Sequence, residues 1–92
     1  MAHFAVVYTY ADAEKQAQHR PAHREYLSEL LNEGKLVASG PFVGGDEPGA
    51  LLIFTGETAA EIEGLINNDP MNVGGAVLSF EIHEWNPVLG GL

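Results

Sequence analysis

Apolar positions recur along the chain with two periods, and the switches between them mark out its elements. His3 to Tyr10 is β-branched and aromatic and predicts a strand. Residues 11–19 are polar and alanine-rich, which suits a loop or a short helical approach. Pro21 predicts the first turn of a helix, where its missing N–H costs nothing. Beyond it Tyr26, Leu27, Leu30 and Leu31 keep helical spacing until Gly34 stops the run.

Leu36 to Val43 reads as a strand broken by Gly40-Pro41, which argues for a bend or a sheet edge. Gly44 to Gly49 is a turn, and Ala50 to Thr55 is a further strand. Thr58 and Glu61 form a capping box ahead of an Ile62, Leu65, Ile66 stripe, so a second helix follows. Ala76 to Trp85 alternates Leu78, Phe80 and Ile82 with Ser79, Glu81 and His83, the period of a half-buried strand. Asn86 to Leu92, with Pro87 and two glycines, is expected to wrap or dangle.

The order β-α-β-β-α-β is the split βαβ arrangement of ferredoxin-like folds, an α+β class with an antiparallel sheet. The 92 residues form one domain, 1–92. Helices on one face leave the other to be covered. That face presents Phe4, Val6 and Tyr8 or their neighbours, and pairing two such sheets makes a homodimer. A chain of this size is marginal alone, and assembly is an available source of stability.

Charge narrows the partners. Thirteen acidic residues against four Lys or Arg give a net charge of −9. Such a chain repels a phosphate backbone and an anionic membrane surface, so neither nucleic acid nor membrane is an expected partner. It has no cysteine, which is compatible with a reducing cytoplasm. Met1-Ala2-His3-Phe4 has no signal-peptide pattern, and no apolar run nears the roughly 20 residues a bilayer needs.

Two ionisable residues fall on apolar stripes. His23 precedes Leu27 by four and Leu30 by seven, so it shares their inward face. Near the start of the predicted helix the macrodipole favours a neutral imidazole, suited to a general base. The competing reading is a core-edge histidine bonded to backbone. Asp69 precedes Pro70 as an N-cap for a short helix through Met71, Asn72 and Val73, and it also extends the Ile62–Ile66 stripe. Capping and orienting a histidine are compatible, because a carboxylate has several acceptor sites.

Ser39 lies beside Gly40, whose missing side chain permits a close ligand approach. Arg20 suits a bidentate grip on an anion, against the alternative of a surface pair with Glu25. Tyr8 is a candidate for the pocket floor or for plain core. His3, His19 and His83 match no metal spacing, and neither Gly44-Gly45 nor Gly74-Gly75 forms a phosphate loop, so no metal or other cofactor is expected.

The ordered set Arg20-Pro21-Ala22-His23, Leu27, Leu30, Leu31, Glu33-Gly34-Lys35-Leu36, Ala38-Ser39-Gly40-Pro41 and Asn68-Asp69-Pro70 resembles the YCII-related (YciI-like) proteins of the dimeric α+β barrel superfamily. The resemblance implies an active-site pair of His23 and Asp69 with Ser39 and Arg20 beside it. Some members are similar to muconolactone isomerases, and one is implicated in eliminating chloride from a chlorinated hydroquinone. The expectation is therefore a small cofactor-independent enzyme using a His/Asp acid–base pair on a small polar or aromatic metabolite. Elimination and isomerisation are the reaction types it suggests. The alternatives are a non-catalytic small-ligand-binding module and a dimeric interaction module.

Overall fold

A computed structural model describes residues 1–90. The elements are β1 (Ala2–Tyr10), α1 (Ala13–Asn32), β2 (Leu36–Pro41), β3 (Gly49–Gly56), α2 (Ala59–Asn67), α3 (Pro70–Val73) and β4 (Val77–Trp85). The four strands form one antiparallel sheet in the order β2-β3-β1-β4. With helices between the strands, this is the expected ferredoxin-like β-α-β-β-α-β architecture, with α3 as a short addition after α2.

Helix α1 starts eight residues earlier than Pro21 suggests. Asp12 caps it by accepting the Lys15 amide at 2.8 Å, and the Ala, Glu, Lys and Gln of the first two turns are strong helix formers. Pro21 therefore lies inside the helix and leaves the Ala17 carbonyl without its usual partner. The early start also places His23 in mid-helix, so the macrodipole argument for its neutral form no longer applies. The end follows expectation. Gly34 takes φ +79°, while the Lys35 and Gly34 amides bond the Leu30 and Leu31 carbonyls at 2.9 and 3.1 Å, closing a Schellman motif.

Phe4, Val6, Tyr8 and Tyr10 of β1 point under the helices and are buried with Leu27, Leu30, Leu52, Phe54, Ile62, Ile66 and Met71. Full burial of such a side chain contributes roughly 1.5–3 kcal/mol. The alternate residues Ala5, Val7 and Thr9 form the other face, paired with Ile53, Leu51 and Gly49. Leu51 and Trp85 remain exposed there. Of the two registers left open by the sequence, the uncovered face thus carries the neighbours of Phe4, Val6 and Tyr8.

β2 is an edge strand ending at Pro41. Its pairing with β3 slips between Leu36 and Ala38, a bulge that the sequence did not announce. Three residues apart, Leu36 and Ser39 belong on opposite faces of a regular strand. The extra residue turns Ser39 back onto the helix side, opposite the buried Leu52. Glu61 closes the α2 cap on the amide of Glu57, one residue before the Thr58 amide that a capping box uses. In β4, Phe80 and Ile82 pack against the core, but Leu78, past the β1–β4 irregularity, is 71% exposed. Residues 86–90 have no regular structure, and the last two positions of the expected tail lie outside the described residues.

Candidate active site

Three elements meet at one carboxylate. Asp69 ends the turn between α2 and α3 and caps α3, its Oδ1 accepting the Met71 amide at 3.0 Å. Pro70 at the first helical position fits that cap. The Asp69 side chain is 1% exposed. From α1, His23 Nδ1 reaches Oδ1 at 2.7 Å and Oδ2 at 2.9 Å. From β1, the Tyr8 hydroxyl donates to Oδ2 at 2.9 Å. A core aspartate thus finds three donors, which is what makes its burial tolerable.

This arrangement assigns the histidine tautomer. A carboxylate accepts only, so Nδ1 carries the proton and Nε2 of the neutral ring keeps a lone pair. No partner to Nε2 exists among the described residues, nor is any buried side-chain nitrogen or oxygen there left without one. Nε2 is therefore unpartnered and not sealed off, and His23 is part of the wall of a cavity of about 790 Å³. That volume is in the range of small-molecule sites.

The cavity lies between the second half of α1 and the strands β2 and β3. Arg20, Ser39 and Gly40 line it with His23, as do the apolar side chains of Leu27, Leu31, Leu36 and Leu52. Four of the six expected site residues are thus together on one wall or the other. Asp69 and Tyr8 stand behind the histidine instead: Tyr8 is 1% exposed and touches the site through Asp69, not as a floor. Apart from its own chain neighbours, no described atom lies within 4 Å of where a Cβ on Gly40 would stand. Arg20 bonds Gln16 Oε1 at 3.1 Å rather than pairing with Glu25.

Sequence reasoning missed Arg24, Ser28 and Tyr10, which also line the cavity. The signal was present. Arg20, Arg24 and Ser28 recur every four residues, a row beside the one formed by His23, Leu27 and Leu31. Tyr10 shares the β1 face of Tyr8, and the two rings meet edge to face at 6.0 Å. Burial, then the negative charge of Asp69, raise the Tyr8 phenol far above its ordinary value, and the shared hydrogen bond adds to this. Burial and then Asp69 also raise Tyr10, with Arg20 opposing. Both phenols are consequently protonated donors near neutrality. Tyr26, raised by burial and then Asp69, donates to the Leu65 carbonyl at 2.7 Å and ties α1 to α2.

The remaining histidines lie apart. His3 is on the open sheet face, His83 is 3.7 Å from Glu81 on β4, and His19 packs over Gly74 at the contact between α1 and α3.

Several solved structures share this fold. One is 5-chloro-2-hydroxyhydroquinone dehydrochlorinase (TftG) from Burkholderia phenoliruptrix AC1100, in complex with 2,5-dihydroxybenzoquinone. It is 22% identical with a TM-score of 0.78, over 91% of this chain and 93% of that one. Another is SnoaB, a cofactor-independent oxygenase from Streptomyces nogalater, at 8% identity and TM-score 0.54, over 97% and 94% of the two chains. A dimeric ferredoxin-like protein of unknown function from Jannaschia sp. CCS1 matches at 12% identity and TM-score 0.52, over 94% and 99%. A search of curated proteins gives no match. The model of the YCII-related domain matches residues 1–86, and the chain belongs to that family.

Proposed function

We propose that this protein is a small cofactor-independent enzyme that moves a proton on a small polar or aromatic metabolite, in an elimination or isomerisation. The observation that carries this reading is the Asp69–His23 pair, 2.7 Å apart and buried, with His23 on a cavity wall and its Nε2 unpartnered. His23 takes a proton from the substrate at Nε2 and returns it, or passes it to a leaving group. Asp69 fixes the ring's tautomer and stabilises the imidazolium formed in between. Ser39, Arg20 and the backbone at Gly40 hold the substrate, and the protonated Tyr10 hydroxyl is a further donor on the same wall. The names of two relatives by fold are in keeping with such chemistry: one is a dehydrochlorinase bound to a dihydroxybenzoquinone, the other a cofactor-independent oxygenase.

The working unit in this proposal is a homodimer joined through the uncovered sheet face. Its support is the exposed Leu51 and Trp85 beside the half-buried Val7 on a surface that no element among the described residues covers. The fold relative from Jannaschia is likewise described as dimeric. No helix among the described residues is long and apolar enough to cross a membrane. The cytoplasm is the location proposed, on the absence of cysteine, and the charge of −9 argues against a nucleic-acid partner.

The test is solvent-hydrogen exchange. Hydroxyquinones, phenols and unsaturated lactones are incubated with the protein in D₂O, and deuterium uptake at carbon is followed by NMR. His23→Ala, with its fold verified by circular dichroism, should lower the catalysed rate about 10²–10⁴-fold. An unchanged rate contradicts the mechanism. A ligand that binds the wild type unaltered, and binds His23→Ala only more weakly, identifies a binding module instead.

A further inference from the structure

The chain contains two arginines and two lysines against thirteen acidic residues, and both arginines line the cavity that His23 also lines. Neither is ion-paired among the described residues. Arg20 is steered by Gln16, a neutral partner that leaves its charge uncompensated. Gln16 is itself buried and anchored to the Ala11 carbonyl at 3.2 Å. Arg24 has no hydrogen-bond partner among the described residues. Like charges four apart on a helix destabilise it, and no ion pair among the described residues offsets that cost. No Asp or Glu is among the residues lining the cavity; Asp69 stands behind the imidazole.

We infer that the cavity takes a small organic anion, its charged oxygens held by Arg20 and Arg24, and that Arg24 sets this preference. An inorganic ion would leave the leucine wall of Leu27, Leu31, Leu36 and Leu52 unfilled, and this wall calls for an apolar body of ring size. The guanidinium fork matches two oxygens of one acid group, and the two arginines stand one helical turn apart on the row beside His23. A body anchored there and laid on the leucines lies alongside Nε2. The substrate class is therefore an aromatic or unsaturated carboxylate monoanion. The inference rests on the acid–base reading only for the placement of the reacting atom at His23.

Benzoate and its neutral isostere benzamide are the probes, with titration calorimetry at low salt on the wild type, Arg24→Gln, Arg24→Lys and His23→Asn. The wild type should bind benzoate at least tenfold more tightly than benzamide. Arg24→Gln should lose about tenfold or more in benzoate affinity, the size of one charge-assisted contact, and bind the two probes alike. Arg24→Lys should recover part of the loss. Arg24 is exposed, so these variants leave the core intact. His23→Asn should keep the anion preference even where it stops proton exchange, which separates this inference from the acid–base reading.

Equal binding of the two probes by the wild type overturns the inference. So does an unchanged ratio in Arg24→Gln, or no benzoate binding at millimolar concentration. Displacement of benzoate by an equal concentration of inorganic phosphate overturns the requirement for an apolar body.

Discussion

At the scale of single residues, Asp69 serves two purposes with one side chain. Its oxygens start α3 through the Met71 amide and fix His23 through Nδ1, while Tyr8 supplies the third donor from beneath. Tyr8→Phe removes that donor from a buried carboxylate and should cost about 1.5–3 kcal/mol in urea unfolding. The same phenol predicts a pH dependence. Its pKa is raised in the folded state by burial and then by Asp69. The corresponding stability is complete below the unfolded value of 10.0 and drains away as pH rises past it. Tyr8→Phe should flatten this alkaline decline. Equal urea midpoints and identical alkaline profiles for the two proteins would show that the hydroxyl is idle.

Elements explain what was and was not legible in the chain. Helical spacing alone placed His23 on the inward face, and the Asp-Pro pair alone placed a cap at Asp69, so the two halves of the site could be read separately. Their pairing is implied only by the family resemblance and not by the spacing, because it depends on α3 docking against α1, where His19 lies over Gly74. Pro21 alone suggests a first helical turn, whereas Asp12 and a run of good helix formers start α1 earlier and carry it through the proline. The bulge in β2 has no signature in Leu36 to Ser39, yet it is what turns Ser39 to the cavity. Reading the row of Arg20, Arg24 and Ser28 would have found the second arginine.

Gly49, which opens β3, is a further positional requirement. A Cβ there would stand 2.5 Å from the Tyr8 carbonyl and 3.2 Å from the Phe42 ring. Backbone cannot yield as a side chain can, so Gly49→Ala should destabilise by about 1–3 kcal/mol, read from the urea midpoint. A neutral substitution would mean that β3 shifts freely against β1.

For the whole molecule, the single sheet has one face sealed by helices and one left open. Leu51 and Trp85 on the open face are 37% and 40% exposed, beside the half-buried Val7. If two copies cover each other there, sedimentation equilibrium should give a dimer at micromolar concentration and a Tm that rises with concentration. Leu51→Asp should shift the mass to that of a monomer. A wild type that sediments as a monomer would remove the dimer from the account. Composition bears on this scale too: a chain of charge −9 has both of its arginines on the wall of one cavity.

The geometry of His23 can be measured without knowing the substrate. A long-range ¹H–¹⁵N correlation spectrum of the histidine rings, taken at a pH where His23 is neutral, reports which nitrogen carries the proton. The predicted result is a His23 with Nδ1 protonated and Nε2 unprotonated, a pattern that Asp69→Ala disrupts. A proton on Nε2 in the neutral ring, or a spectrum indifferent to Asp69→Ala, would contradict the account.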